Sequence, residues 1–374
     1  MIPSEVGNMK NLEWLRLDHN RLTWLPTEVG RLPSIQTLIL DHNNLNQTTP
    51  TELAALSRLG ELSCFRCNLQ GKLPTEIGQM QRLETWDFGQ NNLTGTIPTE
   101  IGLARDLVRV RLAFNYLSGS IPYEISEATE MKQIDMHCND LTGSIPTGLG
   151  LQTKLSELRL SKNQLNGTLP TQLGLLEMLH TFSIDESTLT GPIPSEVGNL
   201  RALRELRLCR NNLTSSLPSE LFLLEDLEIL NVSDNSLTGT IGSLVVGFNE
   251  LVELDISHNG FTGTLPTHLS LVSSLELIDG SHNEMMGSIP PSFGVTLNRL
   301  EVLSLSHNSQ LGGTIPTQLA DLQRLHVLDL NHTNITGSVP EGVCILTDPD
   351  TTRVDQLEVL TVDCTKVACD CCDC

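Results

Sequence analysis

The sequence predicts an elongated repeat solenoid of the α/β class, in which short strands alternate with short helical segments. Three observations support this fold class. A unit of about 24 residues recurs from end to end, leucines alternate with polar residues inside each unit, and asparagine returns at one position of nearly every unit. Such a short period overrides the expectation that a chain of 374 residues divides into two or three globular domains.

The first half of each unit predicts a strand, as Leu155–Met178 illustrates. Leu158 and Leu160 flank Arg159, so the alternation sends the leucines to the core and the arginine to an open side. Asn163 is predicted to point inward, where its amide bonds backbone groups that a tight coil would otherwise leave unpaired. Stacked units would then form an asparagine ladder.

The second half of the unit predicts a turn and a short helical segment. Gly167 supplies the conformational freedom that the turn requires, and Pro170 ends strand pairing. Thr171 is predicted to cap the helical segment, whose apolar stripe consists of Leu173 and Leu176.

The ladder asparagines set the register of the repeats. They stand at Asn20, Asn43, Asn91, Asn115, Asn139, Asn163, Asn211, Asn235, Asn259, Asn283 and Asn308. In three coils the position holds Cys67, Ser187 or Thr333. This regularity leaves no room for an inserted catalytic domain.

The pattern LxxLxLxxNxLxGxIPxxLGxLxx resembles the plant-type class of leucine-rich repeats, from Pro3 to about Val362. The resemblance implies a right-handed superhelix with a concave parallel β-sheet and convex 3₁₀ or short helical segments. It also implies kinship with ectodomains of receptor-like proteins and receptor kinases, and with wall-enzyme inhibitors.

We predict a solenoid over residues 1–342, with about 14 repeats of 23–25 residues, and a cap over residues 343–374 that holds the last strand. Because the chain begins within a repeat, we expect an N-terminal cap and any signal peptide to belong to a longer protein.

The charge excludes some partners. A formal net charge of −22 argues against nucleic acid and anionic lipid. Many of the acidic residues occupy one slot at the start of the convex turn, where a carboxylate faces the positive end of the helix dipole. These are Glu5, Glu28, Glu52, Glu76, Glu100, Glu124, Glu196 and Glu220. The sequence also contains no run of apolar residues long enough to span a membrane.

Cysteines concentrate at the C-terminal end. The disulfide candidates are Cys344, Cys364, Cys369, Cys371, Cys372 and Cys374. The preferred interpretation is a disulfide-bonded cap over the open end of the leucine core, and the alternative is a thiolate metal cluster. The dense tail also resembles the cysteine-rich ends of leucine-rich repeat proteins from diatoms and related algae.

The other four cysteines are predicted to be unpaired. Cys64 occupies a core leucine position and Cys67 a ladder position, so both are expected to be buried thiols. Cys138 and Cys209 lie three coils apart, roughly 14 Å, which is too far for a disulfide.

No catalytic constellation emerges. Asp87-Phe88-Gly89 matches the metal-binding motif of kinases, but Phe88 fills a core position of the repeat and no other kinase motif accompanies it. We therefore predict a protein that is not an enzyme and needs no metal or cofactor.

Histidine precedes the ladder position in several coils. The residues are His19, His42, His258, His282, His307 and His332. A column with roughly 5 Å spacing would bind metal or respond to pH near 6.5, whereas the preferred interpretation is exposed imidazoles inherited from the repeat.

The open side of the strands is where specificity is expected, because packing does not use those side chains. Basic and acidic rungs alternate there in the middle of the chain. The candidate ligand-binding residues are Arg109, Arg111, Phe114, Asp135, Arg159, Lys162, Asp185, Glu186, Arg207 and Arg210. An intramolecular ladder of ion pairs explains the same pattern about equally well.

The predicted function is recognition of a protein, a peptide or a cell-wall glycan by a secreted or membrane-associated, receptor-like module at the cell surface. The alternative is a structural, adhesive or ice-binding extracellular solenoid. Sequons support an extracellular glycoprotein, with candidate sites at Asn46, Asn92, Asn166, Asn212, Asn331 and Asn334. A further sequon, Asn231, falls on a strand of the open side, where a glycan would obstruct binding.

Overall fold

The computed structural model describes residues 2–242, 245, 247–347 and 356–372. The chain divides into two compact units, Met1–Leu189 and Thr190–Cys374. Each unit is built from repeated coils of strand, turn and short helix.

The main sheet of the first unit consists of parallel strands of three residues, one from each coil. Each strand pairs in register with the strand of the next coil. The strands are Trp14–Arg16, Thr37–Ile39, Glu61–Ser63, Thr85–Asp87, Arg109–Arg111, Gln133–Asp135, Glu157–Arg159 and Thr181–Ser183.

A second parallel sheet lies after the ladder position in the same unit. Its strands are Gln70–Lys72, Asn92–Gly95, Tyr116–Gly119, Asp140–Ser144, Gln164–Gly167 and Thr188–Gly191, the last of which crosses the division between the units. The helical segments are all 3₁₀: Ser4–Asn8, Thr27–Arg31, Thr51–Ala55, Thr75–Gln79, Thr99–Leu103, Tyr123–Glu127, Thr147–Leu151 and Thr171–Leu175.

The second unit repeats this plan. Its main-sheet strands are Glu205–Arg207, Ile229–Asn231, Glu253–Asp255, Leu277–Asp279, Val302–Ser304, Val327–Leu330 and Val359–Val362. Its other strands are Asn212–Ser215, Ser236–Gly239, Gly260–Thr264, Glu284–Gly287, Gln310–Leu311, Gly337–Ser338 and Val367–Ala368. Its helices are 3₁₀ at Ser195–Asn199, Ser219–Leu223, Thr267–Leu271, Thr317–Asp321 and Ile345–Thr347, and α at Ser292–Thr296 and Glu341–Cys344.

The core is formed by aliphatic side chains that recur in every coil. Leu158 is fully buried and lies in register with Ile134 and Phe182 of the two neighbouring strands. Leu155 and Leu160 of the same coil are equally buried. Burial of one such side chain is worth about 1.5–3 kcal/mol, so stacking of neighbouring coils stabilises a unit that could not fold alone.

The short helices begin differently from the prediction. Thr171 was expected to cap its helix, but it is the first helical residue, and the N-cap is Pro170 with no side-chain capping bond. The prediction was wrong because proline fixes an extended backbone there, and its carbonyl accepts the N–H of Leu173 at 3.1 Å. Gly102 allows close stacking of these helices, because a Cβ atom there would lie 2.2 Å from the Glu124 carbonyl oxygen.

The asparagine ladder is confirmed. The Asn163 amide group donates to the carbonyl oxygens of Met136 at 3.0 Å and Leu160 at 2.8 Å, and its side-chain oxygen accepts the N–H of Leu141 at 3.0 Å. One buried side chain therefore joins its own coil to the preceding coil. Gly167 adopts φ +78, as the turn requires.

The replacements of the ladder asparagine make fewer bonds. Thr333 donates its hydroxyl to the Leu330 carbonyl at 2.8 Å, and the Ser187 hydroxyl donates to the Asn163 carbonyl at 3.4 Å. A hydroxyl reaches one carbonyl where the amide reaches two, so these coils depend more on the packing of their leucines.

Three further predictions concern the last strand, membrane-spanning helices and the start of the C-terminal cap. The last main-sheet strand, Val359–Val362, lies within residues 343–374, where it was predicted. Among the described residues, no helix has both the length and the apolar character needed to cross a membrane. The boundary between residues 342 and 343 stays a prediction.

Replacement of Asn163 tests the ladder. Asn163→Leu removes a side chain that pairs two buried carbonyls and one buried N–H, so we expect the free energy of unfolding to fall by about 1–3 kcal/mol. Chemical denaturation followed by the fluorescence of Trp86, which is buried in the same unit, measures the change. The control is Asn166→Leu at an exposed position of the same coil. Equal stability of the two variants would contradict the ladder.

Candidate functional site

The open face of the main sheet is the outward face of its strands together with the residue just before each ladder position. In the first unit the strand register aligns Arg111, Asp135 and Arg159 on consecutive coils. The spacing between such rungs is about 4.8 Å. These side chains lie outside the leucine core and are half-buried.

Two arginines project from the strand Arg109–Arg111. Arg111 donates from Nε to the Gln133 side-chain oxygen at 2.9 Å and lies 3.6 Å from an Asp87 carboxylate oxygen. Burial raises the pKa of Asp87, and the Gly89 N–H and the Arg111 charge oppose that shift only in part. Arg109 donates from Nε to the Thr85 hydroxyl at 3.1 Å.

An aromatic pair joins this coil to the next. Phe114 is exposed and meets the ring of His137 edge-on, with ring centroids 4.7 Å apart. The His137 ring nitrogen Nδ1 lies 2.5 Å from Asp135, so Asp135 pairs with a histidine of its own coil. Phe114 is thus an apolar element beside charged ones.

The next coils hold their charges in short-range pairs. Arg159 pairs with Glu157 of its own strand at 3.0 Å, and Lys162 lies 3.7 Å from Glu186 of the following coil. Asp185 accepts the hydroxyl of Ser161 at 3.1 Å. Both basic groups remain about half exposed, with side-chain exposures of 44% for Arg159 and 55% for Lys162.

The second unit contains the last two candidate residues. Arg207 donates to Glu205 at 2.6 Å and with both terminal nitrogens to Glu253 at 3.3 Å, which lies two coils further along the sheet. Burial alone would lower the pKa of Arg207, but the Glu205 hydrogen bond and the Glu253 charge raise it. Arg210 lies 3.6 Å from Asp234.

Some of the ion pairs join different coils, as an intramolecular ladder requires, and others lie within one strand. At a surface each pair contributes about 0–1 kcal/mol, so the pairs orient the side chains more than they stabilise the units. Oriented, half-exposed charges are also what a docking surface uses. The binding role of these residues therefore stays a prediction.

A hollow of about 460 Å³, which the sequence did not predict, lies at the start of the strands in the first unit. It is lined by Gln36, Thr37, Arg58, Gly60, Glu61, Arg82, Glu84, Thr85 and Arg109. One signal was available in the sequence. Gly60 occupies the position that Gln36, Glu84 and Val108 fill in neighbouring coils.

The histidines of the second unit form a stacked column. Ring centroids are 3.9 Å apart for His258 and His282 and 3.9 Å for His282 and His307, with interplanar angles of 14° and 13°. The His332 ring follows at 4.3 Å and is tilted by 45°. In the first unit, His19 and His42 stack in the same way at 4.3 Å.

The column makes protonation costly for its central members. Desolvation lowers the pKa of His282, and the neighbouring His258 and His307 lower it further, while Asp279 and Asp329 partly oppose the shift. The pKa of His307 is lowered by burial and by His332.

The prediction of thiols at Cys64 and Cys67 was wrong. The structure joins them in a disulfide with Cα atoms 5.5 Å apart. The turn at the end of the strand brings core and ladder positions within the range that a disulfide requires, which alternation along a strand alone did not suggest. Cys138 and Cys209 are not joined to each other, as predicted.

The C-terminal tail contains disulfides, one of which joins it to the helix Glu341–Cys344. Cys344 in the helix Glu341–Cys344 bonds Cys371, and Cys369 bonds Cys372. Cys364 is also disulfide-bonded, and Cys374 lies outside the described residues. The sulfurs of Cys344, Cys369 and Cys371 lie within 4.8 Å of one another, but all three belong to these disulfides and are therefore not thiolates.

The sequons differ in accessibility. Asn46, Asn92, Asn166, Asn212 and Asn334 are exposed, and Asn331 is half-buried. Asn231 lies on the open face, as expected from the sequence, in register with Arg207, but it is buried there and donates its amide to Asp255 at 3.0 Å. A carbohydrate on Asn231 would have to break that bond.

Two family models match parts of the chain. The model described as "Leucine rich repeat" matches residues 201–261, and one described as "Leucine Rich Repeat" matches residues 154–176 and 324–346. No curated protein matches the chain.

Solved structures share the fold. The plant peptide hormone receptor RGFR1 in complex with RGF2 is 31% identical over 90% of this chain, with a TM-score of 0.80. A TDR receptor is 28% identical over 92% of this chain, with a TM-score of 0.85. The chain spans 58% and 63% of those two chains. A plant ice-binding protein is 31% identical over 59% of this chain and 71% of its own, with a TM-score of 0.54.

The histidine column predicts a pH-dependent stability. Because the folded pKa values of His282 and His307 lie below the ordinary 6.5, the unfolded chain binds more protons. The contribution of these neutral histidines to the free energy of unfolding is complete above pH 6.5. It is lost as the pH falls through the pKa values that the two residues have in the folded state. Unfolding followed by circular dichroism between pH 7.5 and 5.5 should show this loss, and His282→Gln with His307→Gln should reduce it. His268→Gln, at an exposed helix position, is the control; an unchanged pH profile in the double variant would contradict the assignment.

Differential alkylation tests the disulfides. In the folded protein without reductant, we expect Cys64, Cys67, Cys344 and Cys371 to resist a thiol reagent even after denaturation, because they are oxidised. Cys138 should react under the same denaturing conditions. Peptide mass mapping locates the labels. Labelling of Cys64 or Cys67 before reduction would show that the two residues are thiols and would contradict the disulfide.

Proposed function

The chain belongs to the plant-type leucine-rich repeat proteins, and on this premise we propose that it is a non-catalytic recognition module. In this proposal it binds a protein or peptide through the open face of the main sheet. The observation that carries the proposal is the strand register, which places outward side chains of consecutive coils side by side while the leucines beneath them complete the core. Such a face is free to vary without loss of the fold.

The composition of this face supports a peptide or protein over other ligands. Arg159, Lys162 and Glu186 offer charges of both signs within two coils, and Phe114 adds an exposed aromatic ring. Peptides carry donors, acceptors and apolar groups at comparable spacing. One receptor structure that resembles this chain is in complex with RGF2, which adds support by analogy.

The proposed location is extracellular or at the cell surface, as a secreted or membrane-associated protein. Disulfides support it, because they persist in oxidising compartments. Exposed sequons at Asn92 and Asn166 support glycosylation in the same compartment. A cell-wall glycan is the second ligand class in this proposal, since the side-chain amides of Asn44 and Asn68 on neighbouring coils form a hydrogen-bonded pair.

A structural or ice-binding role is the alternative, supported by the similarity to a plant ice-binding protein. The second sheet does present hydroxyl groups in many coils. However, Thr94 and Thr262 each donate their hydroxyl to a glycine carbonyl of the preceding coil at 3.2 Å. Those hydroxyls contribute to the scaffold, and the open face is charged, so recognition is the better-supported function.

Charge reversal on the open face tests the proposal. Peptides are selected from a random displayed library against the full chain, and the enriched sequences are titrated against Arg159→Glu and Lys162→Glu. Loss of these two basic groups should weaken binding about tenfold or more, because each loses charge-assisted contacts with the ligand. The unfolding free energy should change by less than about 1 kcal/mol, as both ion pairs are half exposed.

The matched control is Arg105→Glu, an exposed arginine on the helical side of the same unit. It changes the net charge equally but leaves the open face intact. An equal loss of peptide affinity in Arg105→Glu and Arg159→Glu would show that net charge alone causes the effect. A library that yields no peptide specific for the folded chain would contradict the proposed function.

A further inference from the structure

The hollow at Gly60 exists because one side chain is missing from a regular row. Gln36 and Glu84 occupy the same position in the coils on either side. At Gly60 the backbone forms the floor, and it is fully paired: its N–H donates to the Gln36 carbonyl at 2.8 Å, and its carbonyl accepts the N–H of Thr85 at 2.9 Å.

The scaffold does not require glycine at this position. A Cβ atom at Gly60 would find its nearest neighbours, the carbonyl oxygens of Arg82 and Gln36, at 3.7 Å, which is ordinary van der Waals contact. Gly102 is the contrasting case, since a Cβ there would collide with backbone at 2.2 Å. The absence of a side chain at Gly60 thus opens space without serving the packing of the coils.

Three arginines face this space. Arg58 and Arg82 are exposed and stand 24 residues apart, and Arg109 projects from the strand beside them. Through the part of the chain that the structure describes, none of the three forms an ion pair. Arg111, Arg159 and Arg207 of the open face are all paired with carboxylates.

Arg109 is held in position by its bond from Nε to the Thr85 hydroxyl. Thr85 is itself buried, so it is a fixed support. The terminal nitrogens of the guanidinium keep their donor capacity for a ligand. A planar guanidinium matches a carboxylate in two parallel hydrogen bonds.

Two carboxylates share the hollow and restrict what it can hold. Glu61 and Glu84 leave a net charge of +1 beside the three arginines. The two glutamates repel a ligand whose negative charges are closely packed. They can also accept hydrogen bonds from an N–H group of a ligand that lies near one of the ligand's carboxylates. In a chain of net charge −22, only a local site would attract an acidic ligand at all.

We propose that the hollow around Gly60 is a binding site for an acidic side chain of a peptide, held by Arg58, Arg82 and Arg109, while Glu61 and Glu84 accept N–H groups of the peptide backbone. This inference rests on the proposed peptide-binding function and adds a ligand class and a location. The volume of about 460 Å³ lies within the range of ligand sites in proteins.

The test uses the full chain and labelled hexaglutamate as the probe, followed by fluorescence anisotropy. Gly60→Met fills the hollow, and we expect it to weaken binding about tenfold or more. Arg58→Ala combined with Arg82→Ala should have a similar effect. Val252→Met adds the same side chain at the equivalent position of a coil in the second unit and should leave binding unchanged.

Trp86 fluorescence melts show that each variant is folded, and the Arg58 and Arg82 substitutions keep the test decisive if Gly60→Met is unstable. Equal affinity of hexaglutamate for wild type, Gly60→Met and the double arginine variant would overturn the site. Displacement of hexaglutamate by inorganic phosphate at the same concentration of charge would also overturn it, because the hollow would then be a general anion site. If library-selected peptides depend on Arg159 but not on Gly60, the hollow is wrong while the proposed function stands.

Discussion

A coil of about 24 residues turns too tightly to pair all of its backbone groups within its own strands, and this constraint shapes the whole protein. Asn163 shows the solution, because one side chain reaches two carbonyls and one N–H in two coils and in the turn after the strand. The aliphatic core supplies most of the stabilisation, but it is not directional. The ladder decides how each coil sits on the preceding coil, and in doing so it fixes the register of the main sheet.

Because buried leucines and ladder asparagines stabilise the repeats, the exposed side chains are free to vary. Arg111, Arg159 and Arg207 differ from coil to coil in their partners, and each is oriented by neighbouring carboxylates. At Gly60 the absence of a side chain does not affect the packing of the core, and it leaves a hollow lined by arginines. Variation in exposed positions can therefore build a recognition surface while the repeat stays intact.

The parts that could be predicted from the sequence are those set by periodicity. Alternation at Leu158 and Leu160 indicated the strand, and the recurrence of Asn163 indicated the ladder. Properties that depend on turn geometry were missed: the cap at Pro170, and the approach of Cys64 to Cys67 across the end of a strand. The hollow at Gly60 was also missed, because a repeat pattern indicates the residues that recur and not the space left where a side chain is absent.

Native-state hydrogen exchange, resolved at single residues, tests the central claim most directly. The Leu141 N–H donates to the side chain of Asn163, whereas the Leu160 N–H donates to the Ser183 carbonyl within the main sheet. If the ladder bonds break only together with the sheet, both amides exchange only when the first unit unfolds. Their exchange rates then give the same free energy of unfolding. Exchange at Leu141 that is orders of magnitude faster than at Leu160 would contradict the account.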